Sequence, residues 1–134
     1  MTMKFDHVGI AVKSLDNMLA IYSRIGTFEV KQTEVAGQKA RIALLKAGDA
    51  SVEFLEPTSE DSSLAKFIAE RGEGLHHIAF EVEDIEKTTE ELKRRGFRFV
   101  YEHAVDGKFS SRVNFVHPKS AGGVLVELTQ NRGR

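Results

Sequence analysis

Two histidines and two glutamates are the residues whose spacing could carry chemistry. His7 heads the stretch Asp6-His7-Val8-Gly9-Ile10-Ala11-Val12, and His77 heads His77-Ile78-Ala79-Phe80-Glu81-Val82. Glu53 and Glu127 each lie in a later apolar run, Val52-Glu53-Phe54-Leu55 and Val126-Glu127-Leu128-Thr129. A single histidine at a strand head is ordinarily a hydrogen-bonded surface residue, and a single strand glutamate is ordinarily solvated. Here they come as two pairs in the same order. Brought together, the two carboxylates would repel, and a divalent cation removes that cost. Nitrogen and oxygen donors without sulfur suit Mn, Co, Ni, Fe or Zn, and the Irving–Williams order leaves the native metal open.

The elements that would position these residues read as a repeat. His7 and His77 are 70 residues apart, and the same offset relates Leu15 to Ile85, Gly26 to Gly96 and Val30 to Val100. Self-similarity of this length points to two copies of one module, at about 4–57 and 74–130, rather than to a solenoid. In each copy, period-two alternation predicts a strand at the histidine, with His7, Gly9 and Ala11 on one face and Val8, Ile10 and Val12 on the other. The apolar face would feed a core and the bare one would floor a site. Glu53 falls with Leu55, and Glu127 with Leu125, away from the helix-covered side.

Helical spacing predicts a helix from Leu15 to Ile25 closed by Gly26, and another from Ile85 to Arg95 closed by Gly96. A short helix holding Leu64, Phe67 and Ile68 is expected to end near Gly72. Strands are expected at 28–35, 40–46, 51–56, 97–102, 112–116 and 124–129, with Pro57 ending the first copy and residues 130–134 fraying. The fold class is therefore α+β: two βαβββ modules whose sheets curl into a half-open mixed β-barrel with helices outside.

With 134 residues, the chain is read as one domain made of these two repeats. A formal net charge of -1 gives no electrostatic case for nucleic acid or an anionic membrane. No apolar run is long enough to span a bilayer, and Asp6 and His7 interrupt any secretory h-region. The absence of cysteine excludes disulfides, thiolate nucleophiles and iron–sulfur ligation, and is compatible with a reducing cytoplasm. His76 faces away from His77 by alternation and is read as a packing or hydrogen-bonding residue. His117, before Pro118, is read as structural, and His103 is assigned no role.

The repeat with His7, Glu53, His77 and Glu127 resembles the vicinal oxygen chelate superfamily. Within it, Asp6–Val12, Gly72-Glu73-Gly74-Leu75-His76-His77-Ile78-Ala79, His117-Pro118-Lys119-Ser120 and Gly123-Val124-Leu125-Val126-Glu127-Leu128 resemble the methylmalonyl-CoA epimerases. The resemblance implies an acyl-CoA substrate, a divalent metal on the four residues, and epimerisation by 1,1-proton transfer through a metal-stabilised enolate. It implies Glu127 as both ligand and acid/base, with Glu53 a candidate for the opposing group. It further implies a homodimer.

Two departures stand out. Some epimerases carry a glutamate in the third strand, where this chain has Ile42, and the loop Gly107-Lys108-Phe109-Ser110-Ser111 is less glycine-rich than the family's. Alternatives on the same scaffold are a lactoylglutathione lyase of the glyoxalase I type and a metal-free small-molecule-binding protein.

Overall fold

Residues 2–131 are described by the computed structural model, in two units. One is His7–His76; the other joins Met1–Asp6 to His77–Arg134. Strand β1 (Lys4–Ala11) therefore runs from the second unit into the first, and β5 (Gly74–Glu81) runs from the first into the second.

The first unit continues through helix α1 (Leu15–Ser23), strands β2 (Glu29–Val35), β3 (Ala40–Ala47) and β4 (Ala50–Pro57), and helix α2 (Ser63–Arg71). Its strands lie in the order β2-β3-β4-β1, antiparallel except for the parallel pair of β4 and β1. Helix α1 starts where Ser14 Oγ accepts from the Asn17 amide at 3.1 Å, which satisfies one of the first-turn donors. The Glu56 carboxylate, reaching over from β4, accepts from the Leu15 amide at 2.9 Å. The apolar side of α1 covers Val12, Ala43, Leu45 and Phe54, and the Tyr22 ring meets that of Phe54 at 4.8 Å between centroids. Full burial of a side chain such as Phe54 contributes about 2–3 kcal/mol.

Both faces of this sheet are covered, where the alternation of β1 predicts one bare face. His7, Gly9 and Ala11 are buried while Val8 and Ile10 are only half-buried. Ala11 packs with Ala40, Ile42, Leu55 and Leu64 beneath Phe67 and Ile68 of α2. Pattern alone cannot show that a helix following the fourth strand folds back over part of the small-residue face.

The second unit has helix α3 (Ile85–Arg94) and strands β6 (Val105–Asp106), β7 (Arg112–Val116) and β8 (Val126–Gln130), in the order β5-β8-β7-β6. Its plan echoes the first. Asp84 caps α3 by accepting from the Lys87 amide, and Gln130 of β8 accepts from the Ile85 amide at 2.9 Å, as Glu56 does for α1. Val82, Ile85, Ala104 and Leu128 form its core, with Met3, Leu92 and Phe99 packed against it.

Several sequence expectations need correction. Helix α1 ends three residues before Gly26, with Arg24 in ordinary right-handed geometry at the cap. Gly96 does follow α3 in the left-handed region, at φ 93°, donating to the Lys93 carbonyl. Residues 97–102 form no strand, and only Phe99 bridges to Val116. Around that bridge the Val100 amide donates to the Phe115 carbonyl and the His117 amide to the Arg98 carbonyl, and at Tyr101 the fully buried Asn114 takes over: its Nδ2 donates to the Tyr101 carbonyl and its Oδ1 accepts from the Tyr101 amide. The expected frayed tail is fixed at its start, since Gln130 ends β8 and Asn131 donates to Asp6 and Glu81. Residues 132–134 lie outside the described residues.

Candidate metal centre

In the first unit, His7 and Glu53 sit on adjacent parallel strands. The register sets Gly9 beside Glu53, and His7 lies two residues back on the same face. His7 is 0% exposed and Glu53 2% exposed, and Nε2 of His7 stands 3.3 Å from Oε2 of Glu53. The second unit builds the same arrangement from β5 and β8. Ala79 is registered beside Glu127, and Nε2 of His77 stands 3.4 Å from Oε1 of Glu127, both side chains buried. Each unit thus brings together the histidine and the glutamate that the sequence pairs.

The small residue at 9 and at 79 explains how each pair fits. A glutamate in a central strand needs room laterally for its carboxylate to turn toward the imidazole. Glycine or alanine leaves that room, whereas a branched side chain would occupy it. Phe115, registered opposite Glu127 on β7, closes the other flank, and its ring meets the His77 ring edge-on at 6.2 Å.

The donor set fits a divalent cation. Two ligand atoms each about 2.0–2.2 Å from one ion, at angles between square and tetrahedral, stand ~3.0–3.5 Å apart. The separations of 3.3 and 3.4 Å fall in that range. Buried carboxylate with imidazole is a hard-to-intermediate set suited to first-row metals.

His76 packs edge-on against Phe67 of α2 at 4.8 Å, as its packing assignment expects. Burial lowers its pKa, and the negative charge of Glu53 works against that. His117 Nδ1 accepts from the Lys119 amide in the turn before β8, which is the structural role expected of it. Ile42 is buried in the cluster under α2 and offers no proton-moving group.

Sequence reasoning missed a polar network beside the second pair. Asn131 Nδ2 donates to Asp6 Oδ1 at 2.9 Å and to Glu81 Oε2 at 2.7 Å, while its Oδ1 accepts from Thr129 Oγ1. Glu81 and Thr129 are visible by alternation from Ala79 and Glu127; Asn131 lies beyond the last strand and gives no such signal.

The family model for the Glyoxalase/Bleomycin resistance protein/Dioxygenase superfamily matches residues 6–115. The chain belongs to that superfamily. Among curated relatives, the uncharacterized protein YqjC of Bacillus subtilis is 31% identical over 131 residues, covering 97% of this chain and 94% of that protein. The mitochondrial methylmalonyl-CoA epimerase of Homo sapiens is 33% identical over 129 residues, covering 95% of this chain and 73% of that protein. Among solved structures, a methylmalonyl-CoA epimerase in complex with methylmalonyl-CoA and NH4+ is 36% identical, with a TM-score of 0.95 over 99% of this chain and 97% of that one. The fold class is accordingly the superfamily's α+β class, two βαβββ modules. No helix among the described residues is long and apolar enough to cross a membrane.

Proposed function

We propose that this chain is a methylmalonyl-CoA epimerase that works with a divalent cation, Co, Mn, Ni or Zn, held by His7, Glu53, His77 and Glu127. The observation that carries the reading is the duplicated His–Glu pair, buried and equally spaced in both units. Its substrate comes from the relatives, which include a methylmalonyl-CoA epimerase solved with methylmalonyl-CoA.

The chemistry supplied by the bound cation is Lewis-acid stabilisation of the charge that leaves C2 for the thioester oxygen. His7 and His77 present ring nitrogens for that role. Glu127 takes the proton from C2 on one side, and the electron pair of the broken C–H bond moves toward the thioester carbonyl. Glu53 delivers a proton to the opposite side, which inverts the centre. A homodimer belongs to the same reading and rests on the resemblance alone, and a cytoplasmic location on the absence of cysteine.

The test is to incubate metal-loaded protein with (2S)- and (2R)-methylmalonyl-CoA in deuterated water. Deuterium at C2 in both isomers is the expected result. Turnover of methylglyoxal with glutathione, without exchange at C2, would instead make the chain a lactoylglutathione lyase. Absence of bound metal with tight binding of an unrelated small molecule would make it a sequestering protein.

A further inference from the structure

Asn131 lies one residue past β8, and the proposed chemistry gives it no role. Its side-chain NH2 has two hydrogens and both go to carboxylates, one to Asp6 Oδ1 at 2.9 Å and one to Glu81 Oε2 at 2.7 Å. Its Oδ1 accepts from Thr129 Oγ1 at 3.1 Å. Only one orientation of the amide does this. Turned end for end, it would set its oxygen against both carboxylates. Asp6 is 5% exposed and Thr129 0% exposed, so these bonds are made away from water, where each one matters most.

The clasp sits beside the His77–Glu127 pair, and Asp6, Glu81, Thr129 and Asn131 all belong to the second unit. Glu81 is registered with Thr129, as Ala79 is with Glu127. By alternation His77, Ala79 and Glu81 share one face of β5, and Glu127 and Thr129 share one face of β8. The backbone ladder between the two strands closes where the Val82 amide donates to the Thr129 carbonyl at 2.9 Å. Past that bond the side chain of Asn131 continues the join. It also stands between like charges. Two carboxylates held by one nitrogen are close enough to repel, and the positive end of the amide between them offsets that.

We propose that Asn131 is a positioning residue for the metal pair of this unit, fixing β8 against β5 so that His77 and Glu127 keep the 3.4 Å separation suited to one cation. It acts through Glu81 and Thr129, each two residues along from Ala79 and Glu127. This rests on the metal-dependent reading of the site.

The test is cobalt binding by the full chain, read by calorimetric titration and by the visible absorption of the bound ion, whose bands follow ligand geometry. Asn131→Asp keeps the shape of the side chain and replaces its donor with a third carboxylate oxygen. It should bind cobalt about tenfold more weakly than wild type, the low end for disturbing groups outside the ligands, and with altered bands. Adding Glu81→Gln to Asn131→Asp restores a donor to that contact in the reverse direction and should recover part of the affinity. Thermal melts of the metal-free proteins check folding; should Asn131→Asp melt early, Asn131→Ala gives the same reading.

Unchanged cobalt affinity and bands in Asn131→Asp and Asn131→Ala make the residue a fastening for the strand end alone. That overturns the proposal and leaves the metal-dependent reading standing. Weak binding that the double variant does not recover overturns it too, because the lost donor is then not the cause. A wild type that binds no cobalt sinks the metal-dependent reading and this inference together.

Discussion

Gly9 lies directly beside Glu53 across the parallel strands β1 and β4. Its counterpart in the second unit is Ala79 beside Glu127. Each site carboxylate thus has a strand neighbour with little or no side chain.

Gly9→Ala should therefore be tolerated, because the second unit already works with alanine. Gly9→Val should cost roughly 100-fold in kcat/KM, since a displacement of about 1 Å at a reacting group has that effect. Steady-state rates, beside a circular dichroism spectrum showing the fold intact, check this.

His7→Ala and His77→Ala should each lose bound metal, with affinity falling at least about tenfold, the low end for disturbing a metal site. Inductively coupled plasma analysis after dialysis reads it. Stoichiometric metal in both variants would remove these histidines from the ligand set.

Ile42 is buried with Ala11, Leu55 and Leu64 under α2. Ile42→Val should cost about 1 kcal/mol of stability, and Ile42→Ala about 2–5 kcal/mol. If position 42 moves no proton, Ile42→Val should leave the deuterium-exchange rate within about twofold of wild type. Denaturant melts and the exchange assay together decide it.

Glu56 accepts from the first amide of α1, and Arg41 stands 3.6 Å away from it. Glu56→Ala should destabilise the fold by about 1 kcal/mol, the usual effect of losing a helix-start acceptor, while Glu56→Gln keeps the acceptor and most of the stability. Thermal unfolding of the two variants distinguishes them.

Asp61 accepts from the Ser59 hydroxyl and from Lys39 Nζ, and these hold its carboxyl below the ordinary range. A folded-state pKa below the unfolded one gives stability that is present above about pH 4 and lost as pH falls through the lowered value. Carbon-detected NMR titration should show the depressed value, and Lys39→Met should bring it part of the way back.

Much of the site could be read from residue order, because a period of two in short strands fixes which side chains share a face. His7 with Glu53 and His77 with Glu127 follow from that rule plus duplication. What escaped it depended on groups far apart in sequence. Gly26 looked like a helix end, yet α1 stops at Ser23, where the Arg24 and Ile25 amides tighten to the carbonyls three residues back, Ile21 and Tyr22. Residues 97–102 suggested a strand, yet only 98–100 pair with 115–117 through backbone, and the side-chain amide of Asn114 takes over at Tyr101. The covered face of β1 depended on α2, whose docking no local pattern announces.

Glu53 and Glu56 are three positions apart on β4, and Glu127 and Gln130 are three apart on β8. An odd offset sends the two members of each couple to opposite sides of the sheet. One strand in each half is consequently pinned twice, by a helix on its back and by an imidazole on its front. Sliding either strand by a single step would unfasten both at once, so an out-of-step chain could not keep a serviceable half of the machinery.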